Sequence, residues 1–156
     1  MSAPLAWRVA AFADLDAPSL YAALRLRSAV FVVEQACVFH DMDGRDAAAI
    51  HLLGERVAGD PATLVAYARL FAPGDHYAEA SIGRVVTAPS ARGEGAGRAL
   101  MQRALAECAA RWPAAPIRLG AQRYLERFYA SLGFVVAGEP YDEDGIPHVE
   151  MVRAVG

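Results

Sequence analysis

In two short segments of the chain, the kind of side chain differs between even-numbered and odd-numbered positions. In residues 63–71 the even-numbered positions hold Leu, Ala, Ala and Leu, whereas the odd-numbered positions hold Thr, Val, Tyr, Arg and Phe. Successive side chains of a strand point to opposite faces, so this pattern predicts a strand that is covered on both faces. Residues 7–12 show a similar alternation, with Trp7, Val9 and Ala11 on one side, and are also predicted to form a strand. Further short strands are predicted at residues 50–53, 81–87, 117–121, 134–136 and 148–152.

Apolar residues recur at helical spacing in three other segments. The clearest helix follows residue 97 and carries an apolar stripe of Leu100, Met101, Ala104, Leu105, Cys108 and Trp112. A first helix is expected behind Asp16, a suitable N-cap, and its helical period is lost in the apolar run 29–33. A short third helix covers residues 125–132 and ends at Gly133. The polar segment 34–46 and the acidic segment 139–145 are expected to be connecting loops.

The order of these elements predicts an α+β fold with a mixed, mostly antiparallel sheet flanked by helices. A length of 156 residues and a hydrophobic fraction of 55% suit a single domain over residues 1–156 and exclude wholesale disorder. The net charge of −3 gives no basic field that would attract nucleic acid or a membrane surface. No apolar run has membrane-spanning length and no secretory leader is recognised, so a cytoplasmic protein is expected.

A glycine-rich loop precedes the clearest helix. It reads Arg92-Gly-Glu-Gly-Ala-Gly-Arg98. Glycine lets the main chain approach a ligand closely, and the N–H groups of a helix's first turn bind anions, so the loop predicts a phosphorylated ligand. A Walker phosphate loop is excluded because no Gly-Lys-Ser/Thr follows. A dinucleotide site is disfavoured because the next strand brings Arg118 where that fold places an acidic residue.

The pattern Arg-x-x-Gly-x-Gly, formed by Arg92, Gly95 and Gly97, resembles the acetyl-CoA-binding motif of the GNAT N-acetyltransferases. A second segment resembles that family's other signature, because Tyr129 stands four residues before a Gly-Phe pair. Further stretches resemble the ElaA-like branch of the family: residues 24–37 (LRLRSAVFVVEQAC), 41–46 (DMDGRD), 82–97 (IGRVVTAPSARGEGAG) and 145–151 (GIPHVEM). The resemblance extends over nearly the whole chain.

The resemblance implies a GNAT-like three-layer fold whose strands at 81–87 and 117–121 splay apart to admit acetyl-CoA as the cosubstrate. It implies direct transfer of the acetyl group to an amine in a ternary complex, without an acetyl-cysteine intermediate. The diphosphate would lie on the glycine loop, and the pantetheine arm would pair with the preceding strand. The implied cofactor contacts are Val85, Val86, Thr87, Arg92, Gly93, Gly95, Gly97, Arg98 and Gln122.

Acetyl transfer also needs titratable side chains. The resemblance implies that Tyr129 protonates the leaving thiolate, although its place in a helix stripe also suits a core residue. An amine is mostly protonated at neutral pH and must lose a proton before it attacks. Glu34 is the first candidate for the base, and His148, on a predicted strand, follows it. A structural alternative for Glu34 is an ion pair with Arg25 or Arg27.

The remaining polar residues leave several alternatives open. Asp41, Asp43 and the run 142–144 would either form an acidic entrance for a cationic amine or be solvated loop charges. The four histidines, of which His51 is a third candidate base, are too scattered to predict a metal site. The acceptor is expected to be a small-molecule or peptide amine, and a homodimer is left open. A non-catalytic acyl-CoA sensor is the alternative function.

Overall fold

Eight strands form one mixed sheet in a computed structural model of the chain, which describes residues 3–155. The strands are β1 (Ala6–Ala11), β2 (Ile50–Glu55), β3 (Leu64–Phe71), β4 (Ala80–Thr87), β5 (Ile117–Gln122), β6 (Val135–Val136), β7 (Tyr141–Glu143) and β8 (Ile146–Arg153). The helices are α1 (Ala17–Arg27), α2 (Ala96–Arg111) and α3 (Glu126–Ala130), and a π-helix (Ser28–Glu34) continues α1. Residues 1, 2 and 156 of the predicted domain lie outside the described residues.

The strand order across the sheet is β1-β2-β3-β4-β5-β8-β6, and β7 pairs with β8 off this path. Every pair is antiparallel except β4 with β5. Short connections join β2 to β3, β3 to β4 and β7 to β8, whereas a long segment that contains α1 joins β1 to β2. The parallel step from β4 to β5 passes through α2, as such a crossover requires. The predicted mixed, mostly antiparallel sheet is confirmed.

The helices cover both faces of this sheet. Leu52 of β2 belongs to the same buried cluster as Leu100 of α2. Leu53, the next residue in the strand, belongs to a second cluster together with Leu26 of α1. Because successive strand residues point to opposite faces, α1 and α2 lie on opposite sides, and the three-layer arrangement is confirmed. None of the helices among residues 3–155 has the length and apolar character needed to cross a bilayer.

The two central strands diverge. β4 and β5 pair only at their first two positions, Ala80 with Ile117 and Ser81 with Arg118. Both strands continue past these positions without pairing to each other. β4 is also bulged against β3, and Arg84 there has a positive φ of 48°. The implied splay is therefore present, and it opens a wedge between the second halves of the two strands.

Two elements differ from the sequence-based expectation. The apolar run 29–33 lies in a π-helix, with main-chain bonds such as Gln35 N to Val30 O that span five residues. Such bonds change the residue spacing, so a search for the period of an ordinary α-helix does not find this segment. The acidic segment 139–145, expected to be a loop, contains β7 and the tight turn into β8. Its side chains are polar because β7 lies at the margin of the sheet.

A buried arginine fastens the loop that follows the π-helix. Arg27 at the end of α1 is fully buried. Its guanidinium donates to Asp41 Oδ2 at 3.0 Å, to the Asp41 carbonyl oxygen at 2.9 Å and to Asp46 Oδ1 at 2.8 Å. A buried guanidinium needs such acceptors because desolvation of an unpaired charge is costly. Arg27 thereby holds both ends of segment 41–46 against α1.

Two strand arginines complete the arrangement. Arg69 of β3 donates two bonds to Asp43 and a further bond to Asp46 at 2.8 Å. Arg84 of β4 lies 2.9 Å from Asp41 Oδ1 and 3.4 Å from Asp43 Oδ2. We call this group the arginine–aspartate cluster; it comprises Arg27, Arg69, Arg84, Asp41, Asp43 and Asp46. Asp41 and Asp43 are neutralised here, so the acidic entrance considered for these two residues is wrong.

The cluster predicts a pH-dependent contribution to stability. Burial opposes ionisation of Asp46, but hydrogen bonds from Arg27 and Arg69 still hold the pKa of this carboxyl below its ordinary value. Asp46→Asn should lower the free energy of unfolding by about 3 kcal/mol at pH 7, the lower end for breaking a buried ion pair. A carboxyl whose pKa is lower in the folded state stabilises the fold fully at pH values above its unfolded-state pKa of about 4. This contribution is lost as the pH falls through the folded-state pKa. The difference from wild type should therefore shrink below about pH 4.

Urea denaturation at several pH values measures both effects. Asp14→Asn is the matched control, because Asp14 is exposed and makes no ion pair with a residue in the 3–155 range. Equal stability of Asp46→Asn and wild type at pH 7 would show that the cluster does not stabilise the fold.

Candidate active site

A cleft of about 510 Å³ occupies the wedge between β4 and β5. It passes from the face covered by the π-helix to the face covered by α2 and α3, and its lining is mostly apolar. The residues that line the cleft include Val30, Phe31, Glu34, Gln35, Cys37, Phe39, Arg84, Val85, Val86, Thr87, Arg92, Gly97, Gln122, Tyr129, Glu143, Asp144, Ile146 and His148. The splay thus gathers most of the predicted site residues around one opening.

The glycine loop leaves a run of amides without protein acceptors. The first bonded amide of α2 is that of Ala99, which donates to the Gly95 carbonyl oxygen at 3.0 Å. The N–H groups of residues 93–98 donate to no other group in the described part of the chain, and no side chain caps α2. Gly93 and Gly95 have φ values near +80°, a conformation that favours glycine. These free amides lie at the positive end of the α2 dipole, an arrangement that is suited to binding an anion.

The open edge of β4 continues from the glycine loop into the cleft. Val85, Val86 and Thr87 all line the cleft, and β4 has a strand partner there only on its β3 side. Gln122 lies across the opening at the end of β5, where its amide exchanges hydrogen bonds of 3.2 and 3.3 Å with the Gln35 amide. Main-chain polar groups along this edge are therefore available to an extended ligand that carries amides.

Tyr129 is buried and reaches the cleft with its hydroxyl group. The side chain is 5% exposed and packs edge-on against Phe128 and Phe134. The Tyr129 hydroxyl makes no hydrogen bond with any group of residues 3–155, and its oxygen atom is not completely buried. Burial raises the pKa of Tyr129, so the phenol keeps its proton throughout the neutral range. The hydroxyl can therefore act as a hydrogen-bond or proton donor to a group in the cleft.

Glu34 forms an ion pair with the glycine loop. The Arg92 guanidinium donates to both carboxylate oxygens of Glu34, at 2.5 and 2.9 Å, and also to the Thr87 carbonyl oxygen at 3.2 Å. Hydrogen bonding from Arg92 holds the pKa of Glu34 below its ordinary value. An ion pair was the structural alternative for Glu34, and Glu34 does form one. Its partner is Arg92, and not Arg25 or Arg27 of α1. Both side chains are about two-fifths exposed, so the pair contributes little to stability.

His148 lies on β8, with its ring in the wall of the cleft. The histidine is 7% exposed, and its Nδ1 lies 2.7 Å from the Ile146 carbonyl oxygen. A carbonyl only accepts, so Nδ1 carries a proton, and Nε2 holds the lone pair whenever the ring is neutral. The only charged group close to Nε2 within residues 3–155 is the exposed Glu143 carboxylate, at 3.3 Å. By contrast, His51 is sealed between the Tyr67 hydroxyl and the Asp46 carbonyl oxygen, away from the cleft.

Some cleft residues were not predicted from the sequence. These residues are Gln35, Phe39 and Ile146. Their only sequence signal is proximity to Glu34 or to His148. Arg98, which was predicted to contact the cofactor, points its guanidinium to the Ser131 hydroxyl at 2.9 Å, beside the glycine loop.

Comparison with known proteins gives a consistent assignment. The Acetyltransferase (GNAT) domain family model matches residues 34–155. Protein ElaA of Escherichia coli K12 is 44% identical over 151 residues, which cover 96% of each chain. The crystal structure of an acyl-CoA N-acyltransferase from Pseudomonas aeruginosa superposes with a TM-score of 0.89 at 43% identity, over 96% of this chain and 99% of that one. Escherichia coli ElaA superposes with a TM-score of 0.87, again at 43% identity and over the same shares. The splayed strands, the free amides of the glycine loop and these relatives lead to one conclusion: the chain belongs to the GNAT acetyltransferase family, in its ElaA-like branch.

Proposed function

We propose that this protein is an acetyl-CoA-dependent N-acetyltransferase that passes the acetyl group directly to an amine. GNAT membership supports an acyltransferase with an acyl-CoA cosubstrate; the acetyl donor and the amine acceptor are the proposed part. The observation that carries the proposal is the continuous path from the free amides of residues 93–98, along the open edge of β4, to the hydroxyl of Tyr129. The diphosphate, the pantetheine arm and the sulfur of acetyl-CoA each have a chemically suitable partner along this path.

The phosphate end of the donor fits the glycine loop. Six successive free amides and the α2 dipole supply the charge-assisted hydrogen bonds that a diphosphate requires. Gly97 has open space where a Cβ would stand, so the helix start can approach the ligand closely. Arg98, which bonds only the neutral Ser131 hydroxyl, adds positive charge beside the loop, whereas the charge of Arg92 is matched by Glu34. The amides of the pantetheine arm can pair with Val85, Val86 and Thr87 as an added strand does.

The leaving group needs a proton donor. When the amine nitrogen attacks the thioester carbonyl, a C–N bond forms and the C–S bond then breaks, leaving the CoA thiolate. Tyr129 is the proposed donor to that sulfur, because its hydroxyl keeps its proton and has no partner in the described chain. A proton lost by the attacking nitrogen balances the proton that the sulfur gains. Cys37 takes no part, since transfer is direct.

The amine needs a base, and the geometry favours His148 over Glu34. His148 presents an Nε2 lone pair in the wall of the cleft. Glu34 is held by Arg92, and its lowered pKa makes it a weaker base. We therefore assign proton removal from the acceptor ammonium to His148, and we assign Glu34 to the placement of Arg92. The cytoplasmic location, the single domain and a possible homodimer stay predictions.

If the glycine loop binds the diphosphate, Gly97→Asp should weaken CoA binding without lowering the melting temperature. A carboxylate in the first turn of α2 interacts favourably with the helix dipole, so the melting temperature should not fall. The same carboxylate would stand where the diphosphate binds, and affinity for CoA should fall by about 10-fold or more, which corresponds to about 1.4 kcal/mol. Titration calorimetry with CoA measures the loss. Gly138→Asp is the control, because Gly138 is exposed, lies outside the cleft and has equally open space at its Cβ.

Amine-dependent thiol release from acetyl-CoA tests the function and the role of Tyr129 together. Wild-type protein should release CoA only when an amine is present, and Tyr129→Phe should lower kcat by about 100-fold, as expected for the loss of a general acid. The melting temperature and the affinity for CoA should be unchanged, because the hydroxyl has no protein partner to lose. Tyr21→Phe, at an exposed position, is the control. CoA binding without turnover on any amine would instead identify an acyl-CoA sensor.

The two candidate bases predict different outcomes. His148→Gln should lower kcat by about 100-fold at pH 7 and make the rate rise further towards high pH, where the amine is deprotonated in solution. Glu34→Gln should change the KM for acetyl-CoA more than kcat. Steady-state kinetics over a range of pH distinguishes these effects, with His40→Gln at an exposed position as the control. A larger loss of kcat in Glu34→Gln than in His148→Gln would reverse the assignment.

A further inference from the structure

The charges that line the cleft are unevenly paired. The charged side chains are Glu34, Arg84, Arg92, Glu143 and Asp144. Arg92 is committed to Glu34, and Arg84 to two aspartates of the arginine–aspartate cluster. No arginine of residues 3–155 lies within ion-pair distance of Glu143 or Asp144. The cleft therefore has no uncommitted cation, and its excess charge is the negative charge at the β7–β8 turn.

One ring nitrogen of a buried histidine faces the same end of the cleft. His148 is more than nine-tenths buried, and its Nε2 receives no hydrogen bond from any described group. Glu143 lies 3.3 Å from this nitrogen. A lone pair beside a carboxylate is a site for a group that donates hydrogen bonds and carries positive charge, as an ammonium does. A ligand carboxylate at this position would be repelled by the nearby carboxylate of Glu143, and no arginine there would offset the repulsion.

The wall beside this end is apolar. Ile146 lines the cleft on the hairpin itself. The contact of the Cys37 thiol with the Asp144 carbonyl oxygen brings segment 37–39 next to the same turn, and Phe39 lines the cleft there. Arg84 covers Phe39, with its guanidinium carbon 5.4 Å from the ring centre. An apolar group attached to the amine can be buried against this wall, which favours its binding in proportion to the area covered.

We infer that the acceptor is a cationic amine with an apolar body and no carboxylate, bound with its ammonium between His148 and the carboxylates of the β7–β8 turn. This inference rests on the proposed function and narrows its acceptor class. Primary arylalkyl and alkyl amines, and peptide amino ends remote from a carboxylate, belong to this class. Free amino acids do not, because their carboxylate would lie close to Glu143 and Asp144. Like charges placed together at a binding site are a common means of rejecting a ligand.

A matched pair of acceptors tests the inference. 2-Phenylethylamine and L-phenylalanine share the phenylethyl body and the ammonium, and they differ by the carboxylate. With acetyl-CoA as the donor, kcat/KM should be at least about 10-fold higher for 2-phenylethylamine. Ethanolamine, which lacks the apolar body, should be used less well than 2-phenylethylamine. The preference over phenylalanine should decrease as the ionic strength rises, because salt screens the carboxylates of the turn.

A second test keeps the same two acceptors and changes the protein by Glu143→Gln. This substitution should lower the preference for 2-phenylethylamine over phenylalanine by about threefold or more, since one of the two repelling charges is removed. Glu139→Gln is the control, because Glu139 is exposed in the same segment and lies outside the cleft lining. Equal or better use of phenylalanine by the wild type would overturn the acceptor class and leave acetyl transfer intact. Absence of thiol release with every amine, with CoA still bound, would overturn the proposed function itself.

Discussion

The divergence of β4 from β5 is the constraint on which the rest of the structure depends. Main-chain amides and carbonyls that leave a sheet must find other partners, and an unsatisfied buried group costs about 1–3 kcal/mol. Two features accompany the divergence: β5 pairs along its whole length with β8, and a bulge at Arg84 interrupts the regular pairing of β4 with β3. The fold thus keeps an unfinished strand pair at its centre. The open edge of β4 can pair with an extended ligand that is rich in amides, as in the proposed binding of the pantetheine arm.

The arginine–aspartate cluster fixes one wall of this opening. Segment 41–46 supplies three carboxylates, and the three arginines come from α1, β3 and β4. The charges are equal in number, so the cluster is neutral as a whole and its arginines have little remaining attraction for a ligand. Arg84 illustrates the consequence: it lines the cleft, yet burial and the neighbouring arginines lower its pKa, and its charge is already matched by Asp41 and Asp43. The sequence motif DMDGRD therefore has a structural role next to the site.

Features that depend on neighbouring residues were predictable from the sequence, and features that depend on distant contacts were not. The glycine loop and the stripe of α2 are local patterns, so their place and role follow from a few residues. The partner of Glu34 lies 58 positions away, and only the closure of the sheet brings Arg92 to it. The acidic residues 41 and 43 looked like solvated or substrate-facing charge because their arginine partners belong to other elements. The π-helix was missed for a different reason, since its bonding has a residue spacing that the α-helical period does not match.

The two ends of the cleft are built from different kinds of groups, and this explains why kinship identifies the donor more firmly than the acceptor. The donor end consists of main-chain amides, which every residue except proline supplies, together with glycines that keep the approach open. Such a site survives extensive change in side chains, so relatives at about two-fifths identity can share it. The acceptor end consists of side chains from the π-helix, the loop behind it and the β7–β8 turn. A single exchange at Phe39 or Glu143 alters shape or charge there without disturbing the sheet. The acceptor proposed for this protein is therefore deduced from the paired and unpaired charges of its own cleft, and not from its relatives.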